Sequence, residues 1–261
     1  MNAPQDATAD RASADIALVC THKGELRPFL RRLDRQRSYT EGSLTVRGGF
    51  LRETIRIVVA EVGPGFAKHR AAAHWLVETH KPAWMLSVGF SSALTPQVQP
   101  GDLVLASEIV DTHGNTMPVR CTLKPGGRIH VGRMVVADNH PEDVPAKTNL
   151  GTASQALAVD TSSLAVAQIC YERNVRFLAV RGIVDAVDET APAASAGMIF
   201  KADSRSAGAA LGGLLGRFSK ASEMNQWRQR AVAAAEHTDR FLAGVVEQIA
   251  ELLERQRLDR S

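Results

Sequence analysis

Short apolar runs separated by polar and helix-patterned sequence set the strongest constraint on this chain. The runs are Ile16 to Cys20, Ile55 to Val62, Trp84 to Val88, Leu103 to Ala106, Met134 to Val136, Ala156 to Val159 and Phe177 to Ile183. Several are nearly continuous in Val, Ile and Leu, as in strands covered on both faces. Between them, Gly24 to Leu33, Phe66 to Thr79 and Ser163 to Arg173 repeat apolar residues at helical spacing. Phe241, Leu242, Val245, Val246, Ile249, Leu252 and Leu253 form a last helical stripe. We expect it to pack on the sheet rather than to serve a partner or a membrane surface. Such alternation predicts an α/β protein: a three-layer α/β/α sandwich around a mixed, mostly parallel central sheet.

The 261 residues suit one large domain, and no repeat or linker divides them. Residues 16–261 are therefore read as a single domain. Residues 1–15, "MNAPQDATADRASAD", read as a disordered tail. Thr190 to Met224, rich in Ala, Gly and Ser, reads as a loop or lid that is partly helical. The net charge is +3, too small to argue for nucleic acid. The cysteines Cys20, Cys121 and Cys170 are odd in number and lack a CxxC. That argues against a disulfide framework or structural zinc and for a reducing compartment, with Cys20 and Cys170 as small core residues. No apolar run reaches the roughly 18 residues of a membrane span, and the start is not a secretory signal. The expected location is the cytoplasm, with no membrane partner. The histidines are scattered without HxH or HxxxH spacing, so no metal and no cofactor are implied.

In open α/β sheets ligands bind beyond the carboxyl ends of strands. Gly63-Pro64-Gly65 ends one run and opens a helix, as an anion or sugar site or as a plain tight turn. Gly89, Phe90, Ser91, Ser92 and Ala93 follow another run, and small residues there leave room for a ligand. Asp102, in Pro100-Gly101-Asp102, reads as a turn cap. Asp185 ends "RFLAVRGIVD" among apolar neighbours. Desolvation there should raise its pKa toward that of a general acid, the alternatives being a helix N-cap or a bridge to Arg181. Glu25, in "CTHKGEL", is a candidate base or simply a first-turn helix carboxylate.

Taken in order, four blocks resemble the purine nucleoside phosphorylase and nucleosidase superfamily, and most of all the 5′-methylthioadenosine/S-adenosylhomocysteine nucleosidases. They are "IALVCTHKGEL"; the long block from "AEVGPGFAKHR" through "SVGFSSALTPQVQPGDLVLASEIV"; "ALAVDTSSLAVAQICYERNVRFLAVRGIVDAVDE"; and, more weakly, "RMVVADNHP". The resemblance implies a nucleoside phosphorylase-like fold, no cofactor, a small-molecule nucleoside substrate and a homodimer or higher oligomer. It puts Glu25 where the family glutamate activates water and Asp185 where the aspartate protonates purine N7. Gly89, Phe90, Ser91 and Ser92 fall on the substrate loop, and Asp160, Thr161 and Ser162 on the ribose segment. His140 falls where an aromatic faces the base.

The departures are specific. The family's ribose pattern Glu-Met-Glu is Asp160-Thr161-Ser162 here, which weakens sugar binding unless Asp160 or another group compensates. Val184 replaces the serine before the catalytic aspartate. A phosphorylase would carry Gly-Asp-Pro-x-Arg after the first strand, whereas Thr21 to Glu25 lacks it and adds a carboxylate that repels phosphate. Arg47, Arg56 or Arg70, offered from a neighbouring subunit, would argue the other way. The expected activity is N-ribosyl hydrolysis of a purine nucleoside or thionucleoside, such as methylthioadenosine or S-adenosylhomocysteine. The alternatives are a phosphate-dependent phosphorylase and a non-catalytic or differently specific nucleoside binder. The enzymatic readings require both carboxyls to serve one cavity, and a buried ion pair with no opening beside it would count against them.

Overall fold

A computed structural model describes residues 13–141, 143–190 and 221–258. Its elements, in chain order, are β1 (Ile16–Cys20), α1 (Lys23–Leu30), β2 (Asp34–Glu41), β3 (Leu44–Leu51), β4 (Ile55–Glu61), α2 (Phe66–His80), β5 (Trp84–Ala93) and β6 (Leu103–Asp111). There follow β7 (Thr116–Pro118), β8 (Ile129–Val136), α3 (Val144–Ser154), β9 (Ala158–Asp160), α4 (Ser163–Glu172), β10 (Arg176–Asp185) and α5 (Ala221–Leu258).

β1 explains the layering. Its period of two sends Ile16, Leu18 and Cys20 to one face and Ala17 and Val19 to the other. The first set packs with Leu26 and Phe29 of α1 and Leu242, Val246 and Ile249 of α5. The second packs with Ala72, Ala73 and Leu76 of α2 and Val166, Ile169 and Cys170 of α4. Both faces of the strand are therefore dry, which is why its sequence has no polar residue. Parallel pairing of β1 with β4 and β5, and of β5 with β10, sends the carboxyl ends of β1, β5 and β10 to one edge.

Beyond β5 the sheet curls. β10 pairs with β6, β6 with β8, β8 with β9, and β9 returns to the last two residues of β5, Ser92 and Ala93. These pairings close a ring. Because β9 joins only the tip of β5, Asp160 arrives next to the Ser91–Ser92 backbone although it lies about seventy residues further along the chain.

Several expectations are corrected. β5 continues through Ala93, so the small residues 89–93 are strand and not a loop. Ala14 and Asp15, read as tail, are held: Ala14 N donates to His80 O at 2.8 Å, and Arg56 N donates to the Asp15 carboxylate at 2.8 Å. The hairpin β2–β3, β7 and α3 carry no strong apolar pattern and were not anticipated. Of the expected loop or lid, residues 191–220 lie outside the described residues, and α5 begins at Ala221. No helix among the described residues is long and apolar enough to cross a membrane.

Candidate active site

Glu25 is the third residue of α1 and is buried. Its Oε2 accepts hydrogen bonds from Thr21 N at 2.9 Å and His22 N at 3.1 Å, which satisfies amides at the helix entry. Its Oε1 lies 3.4 Å from Phe90 N, a longer contact. Gly89 makes room for this: a Cβ there would sit 3.4 Å from Oε1. Burial pushes the carboxyl up to about 7, with the His22 amide and the nearby Arg181 charge pulling the other way. Glu25 thus caps its helix while burial holds its carboxyl well above the ordinary carboxylate range.

Asp185 ends β10, opposite Ser92 of β5. Ser92 Oγ donates to its Oδ1 at 2.9 Å, and Lys147 of α3 donates to its Oδ2. Both charged side chains are 0% exposed. Lys147 Nζ also donates to Ala186 O at 2.9 Å and to Glu189 O at 2.7 Å, so its three protons are all placed. Desolvation raises the Asp185 carboxyl to about 6, while Lys147 and the Ser92 hydroxyl restrain it. The raised carboxyl is the one expected from desolvation; of the two alternatives, neither the N-cap nor the Arg181 bridge is formed, and Asp185 is half of a buried ion pair with Lys147.

Arg181 pairs with Asp160 instead, and both are buried. The guanidinium also donates to Ser87 O at 2.8 Å, Ser87 Oγ at 2.9 Å and Val180 O at 2.9 Å. Asp160 Oδ1 accepts from Ser162 N at 3.1 Å and Ser163 N at 3.3 Å, capping α4. Its oxygens are therefore spent on the protein, and Asp160 does not stand in for a sugar-binding glutamate. Ser162 is buried beside it, and Thr161 is half-buried at the strand end. Ser91 Oγ donates to Val159 O at 2.5 Å and ties β5 to β9. The Phe90 ring packs with Val184, Trp227, Ala231 and Ala234 under α5, so only its backbone amide faces Glu25, a correction to its expected place in a ligand loop.

Two histidines complete the cluster. His140, after β8, has a buried Nδ1 with no partner among the described residues, and burial lowers its imidazole to about 4. The charges that act on it are Asp160, Arg181 and Lys147. His69, in the first turn of α2, lies 3.4 Å from Thr21 Oγ1 through Nε2 and 3.0 Å from Gly65 O through Nδ1. Burial lowers its pKa as well. Three described cavities, of about 340, 300 and 360 Å³, are lined by other residues, and neither Glu25 nor Asp185 faces them; Asp185 thus sits in a buried ion pair with none of these openings beside it, the arrangement that counts against the enzymatic readings.

A sequence profile described as the phosphorylase superfamily matches residues 15–125 and 119–220. The chain belongs to the phosphorylase superfamily. Solved members share the fold at low identity. A 5′-methylthioadenosine/S-adenosylhomocysteine nucleosidase from Neisseria meningitidis, in complex with methylthio-immucillin-A, has a TM-score of 0.69 at 15% identity, covering 91% of this chain and 99% of its own. The enzyme of the same name from Campylobacter jejuni has a TM-score of 0.68 at 15% identity, covering 90% and 100%. That from Colwellia psychrerythraea 34H, in complex with adenine, has a TM-score of 0.66 at 12% identity, covering 91% and 96%.

Within this superfamily fold, the structure gathers Glu25, Gly89, Ser92, Asp160, Ser162, Asp185 and, through their charges, His140 around the end of β5. Glu25 meets β5 at Phe90 and Asp185 meets it at Ser92, about 7 Å apart along the strand. Sequence reasoning missed Lys147, Arg181 as the partner of Asp160, and His69. A lone lysine in "VPAKTNLG" gives no pattern signal. Arg181, by contrast, is a charge inside an apolar strand, and that alone marked it as needing a buried partner. Asp102 fills its expected turn role by accepting from Gln99 N at 2.9 Å, with Arg128 and His130 added. Arg47 and Arg70 are engaged by Glu61 and by Gln168 and Glu172, and Arg56 lies over the Phe50 ring.

Proposed function

We propose that this chain is a nucleosidase, an N-ribosyl hydrolase that splits the glycosidic bond of a purine nucleoside or thionucleoside such as methylthioadenosine or S-adenosylhomocysteine. One observation carries the reading: Glu25 is a buried carboxyl with a pKa near 7, two residues along β5 from the attachment of a second raised carboxyl, Asp185. Paired carboxyls in different surroundings divide acid and base roles. Ionised Glu25 takes a proton from water, which attacks the anomeric carbon as the glycosidic electron pair leaves with the base. Protonated Asp185 hands its proton to purine N7 and discharges the leaving group. One such acid contributes roughly 10²–10⁴-fold.

Water is favoured over phosphate because Glu25 puts a carboxylate after β1, and Arg47 and Arg70 already have partners. The adenine and methylthio-immucillin-A bound by solved relatives support a purine nucleoside as ligand class. The neutral His140 imidazole, with its unpartnered nitrogen, suits contact with the base. Gly89, Ser91, Ser92, Thr161 and Ser162 are the proposed surroundings of the sugar. A homodimer or higher oligomer in the cytoplasm remains part of the reading.

The reaction needs Glu25 ionised and Asp185 protonated. With carboxyls near 7 and 6, hydrolysis should peak between about pH 6 and 7 and fall on both sides. The test is release of free base from a nucleoside panel with and without phosphate. Release independent of phosphate, with that pH profile, is expected. A strict phosphate requirement would make the chain a phosphorylase. A second reading, binding without cleavage, is favoured by the Lys147–Asp185 ion pair and by Ser162. Tight binding of a nucleoside with no turnover at any pH would select it.

A further inference from the structure

Nothing in that reaction employs Lys147, yet it is the most completely bonded charge near the candidate site. Its three protons go to Asp185 Oδ2, Ala186 O and Glu189 O. The two carbonyls belong to the turn that follows β10. This turn is itself fixed: Glu189 Oε2 accepts from Ala186 N at 3.0 Å and from Arg230 of α5 at 2.6 Å. An ammonium held by two carbonyls cannot swing away when the carboxylate changes state. On the other side, Ser92 Oγ holds Oδ1 through a hydroxyl, which can turn from donor to acceptor.

We propose that Lys147 is a positioning residue that decides when Asp185 carries a proton and that leaves Oδ1 as the oxygen able to exchange it with a ligand. The proposal rests on the reading of Asp185 as the acid. Oδ2 is occupied by a fixed cation, so a proton taken up by this carboxyl goes to Oδ1. From there it passes to the departing base as the glycosidic pair leaves. The groups acting on the pair are Ser92 from β5, Glu189 from the turn, Arg230 of α5 acting through Glu189, and His140 from the end of β8. None of these is a cation touching the carboxylate; Lys147 is.

The test is to label the Asp side-chain carbons with ¹³C and titrate Asp185 by NMR in the wild type, Lys147→Gln and Lys147→Arg. The expected result for Lys147→Gln is a midpoint raised by about one pH unit or more, roughly tenfold in proton affinity. With the Glu25 base near 7 and the Asp185 acid near 6, the acid limb of kcat/KM follows the lower value, so that limb should move up toward 7 and the peak rate should rise severalfold, while the alkaline limb stays close to 7. Lys147→Arg, which keeps the charge, should bring both back toward wild type. A folded Lys147→Gln whose Asp185 midpoint stays within about 0.3 units of wild type would overturn the proposal.

Should Lys147→Gln fail to fold, the wild type still decides. The Lys147 ¹⁵N resonance should respond at the midpoint of Asp185, whereas a resonance silent there overturns the idea. If no nucleoside is cleaved by the wild type, the nucleosidase reading fails, and the titration still judges Lys147 by itself.

Discussion

Glu25 is costly to keep where it is. Its carboxyl moves from an ordinary 4.5 to about 7 on folding. A group raised in this way gives its full stability below the unfolded value, and that stability is lost as pH rises toward 7. Above pH 7 the cost is about 3 kcal/mol. Glu25→Gln should therefore be more stable than wild type at pH 8, by about 1–3 kcal/mol, and should lose that advantage near pH 4.5. Urea denaturation at the two pH values checks this, and hydrolysis by the variant should be abolished at both. Asp185→Asn runs the other way. It leaves the Lys147 ammonium buried without its counter-charge, which costs about 3–5 kcal/mol. An Asp185→Asn variant as stable as wild type in urea would mean that the pair contributes nothing to the fold. Both carboxyls were legible in the sequence as strand-end and helix-entry acids. Their partners were not, since Lys147 reaches Asp185 from a helix nearly forty residues away with no local spacing to announce it.

At the scale of elements, legibility followed dryness. β1, with residues of both faces in the core, appears in the sequence as an unbroken apolar run. β2, "DRQRSYTE", is almost wholly exposed at the sheet edge, and an edge strand needs no apolar pattern. α3 was invisible for a different reason. Its buried positions are Lys147 and Gly151, so its inner face reads as polar and small. Gly151 is the contact that brings α3 in. A Cβ there would lie 2.4 Å from Leu94 O and 3.1 Å from Leu94 Cβ, and a backbone carbonyl cannot step aside. In an isolated helix Gly→Ala gains about 1 kcal/mol. Here the clash should outweigh it, and Gly151→Ala should destabilise by about 1–3 kcal/mol in urea. Lys147 lies one turn earlier on the same face, so the variant should also weaken the hold on Asp185 and lower kcat/KM.

At the scale of the molecule, α5 supports both halves of the candidate site. It packs on α1, which carries Glu25, and on β10, which ends in Asp185. Arg32, just past α1, reaches Asp239 of α5 at 2.5 and 2.8 Å. The helix approaches β10 closely because Gly182 has no side chain. A Cβ at Gly182 would lie 3.2 Å from both Ala234 Cβ and Thr238 Oγ1. The apolar stripe announced that this helix would cover the sheet, but a strand glycine inside an apolar run did not say which helix it was clearing space for. Two glycine substitutions should therefore move stability in opposite directions. Gly182→Val overfills the seam and should cost about 1–3 kcal/mol, although valine suits a strand. Gly244, on the exposed side of α5, has open space around its Cβ position. Gly244→Ala should gain about 0.5–1 kcal/mol from helix propensity alone. Nucleoside turnover should fall with Gly182→Val, because lifting α5 loosens the turn at Glu189 through Arg230 and with it the carbonyls that hold Lys147. Gly244→Ala should leave turnover unchanged. Equal midpoints for the two variants in urea would mean that the α5–β10 seam is loose, and the shared support of Glu25 and Asp185 would have to come from β5 alone.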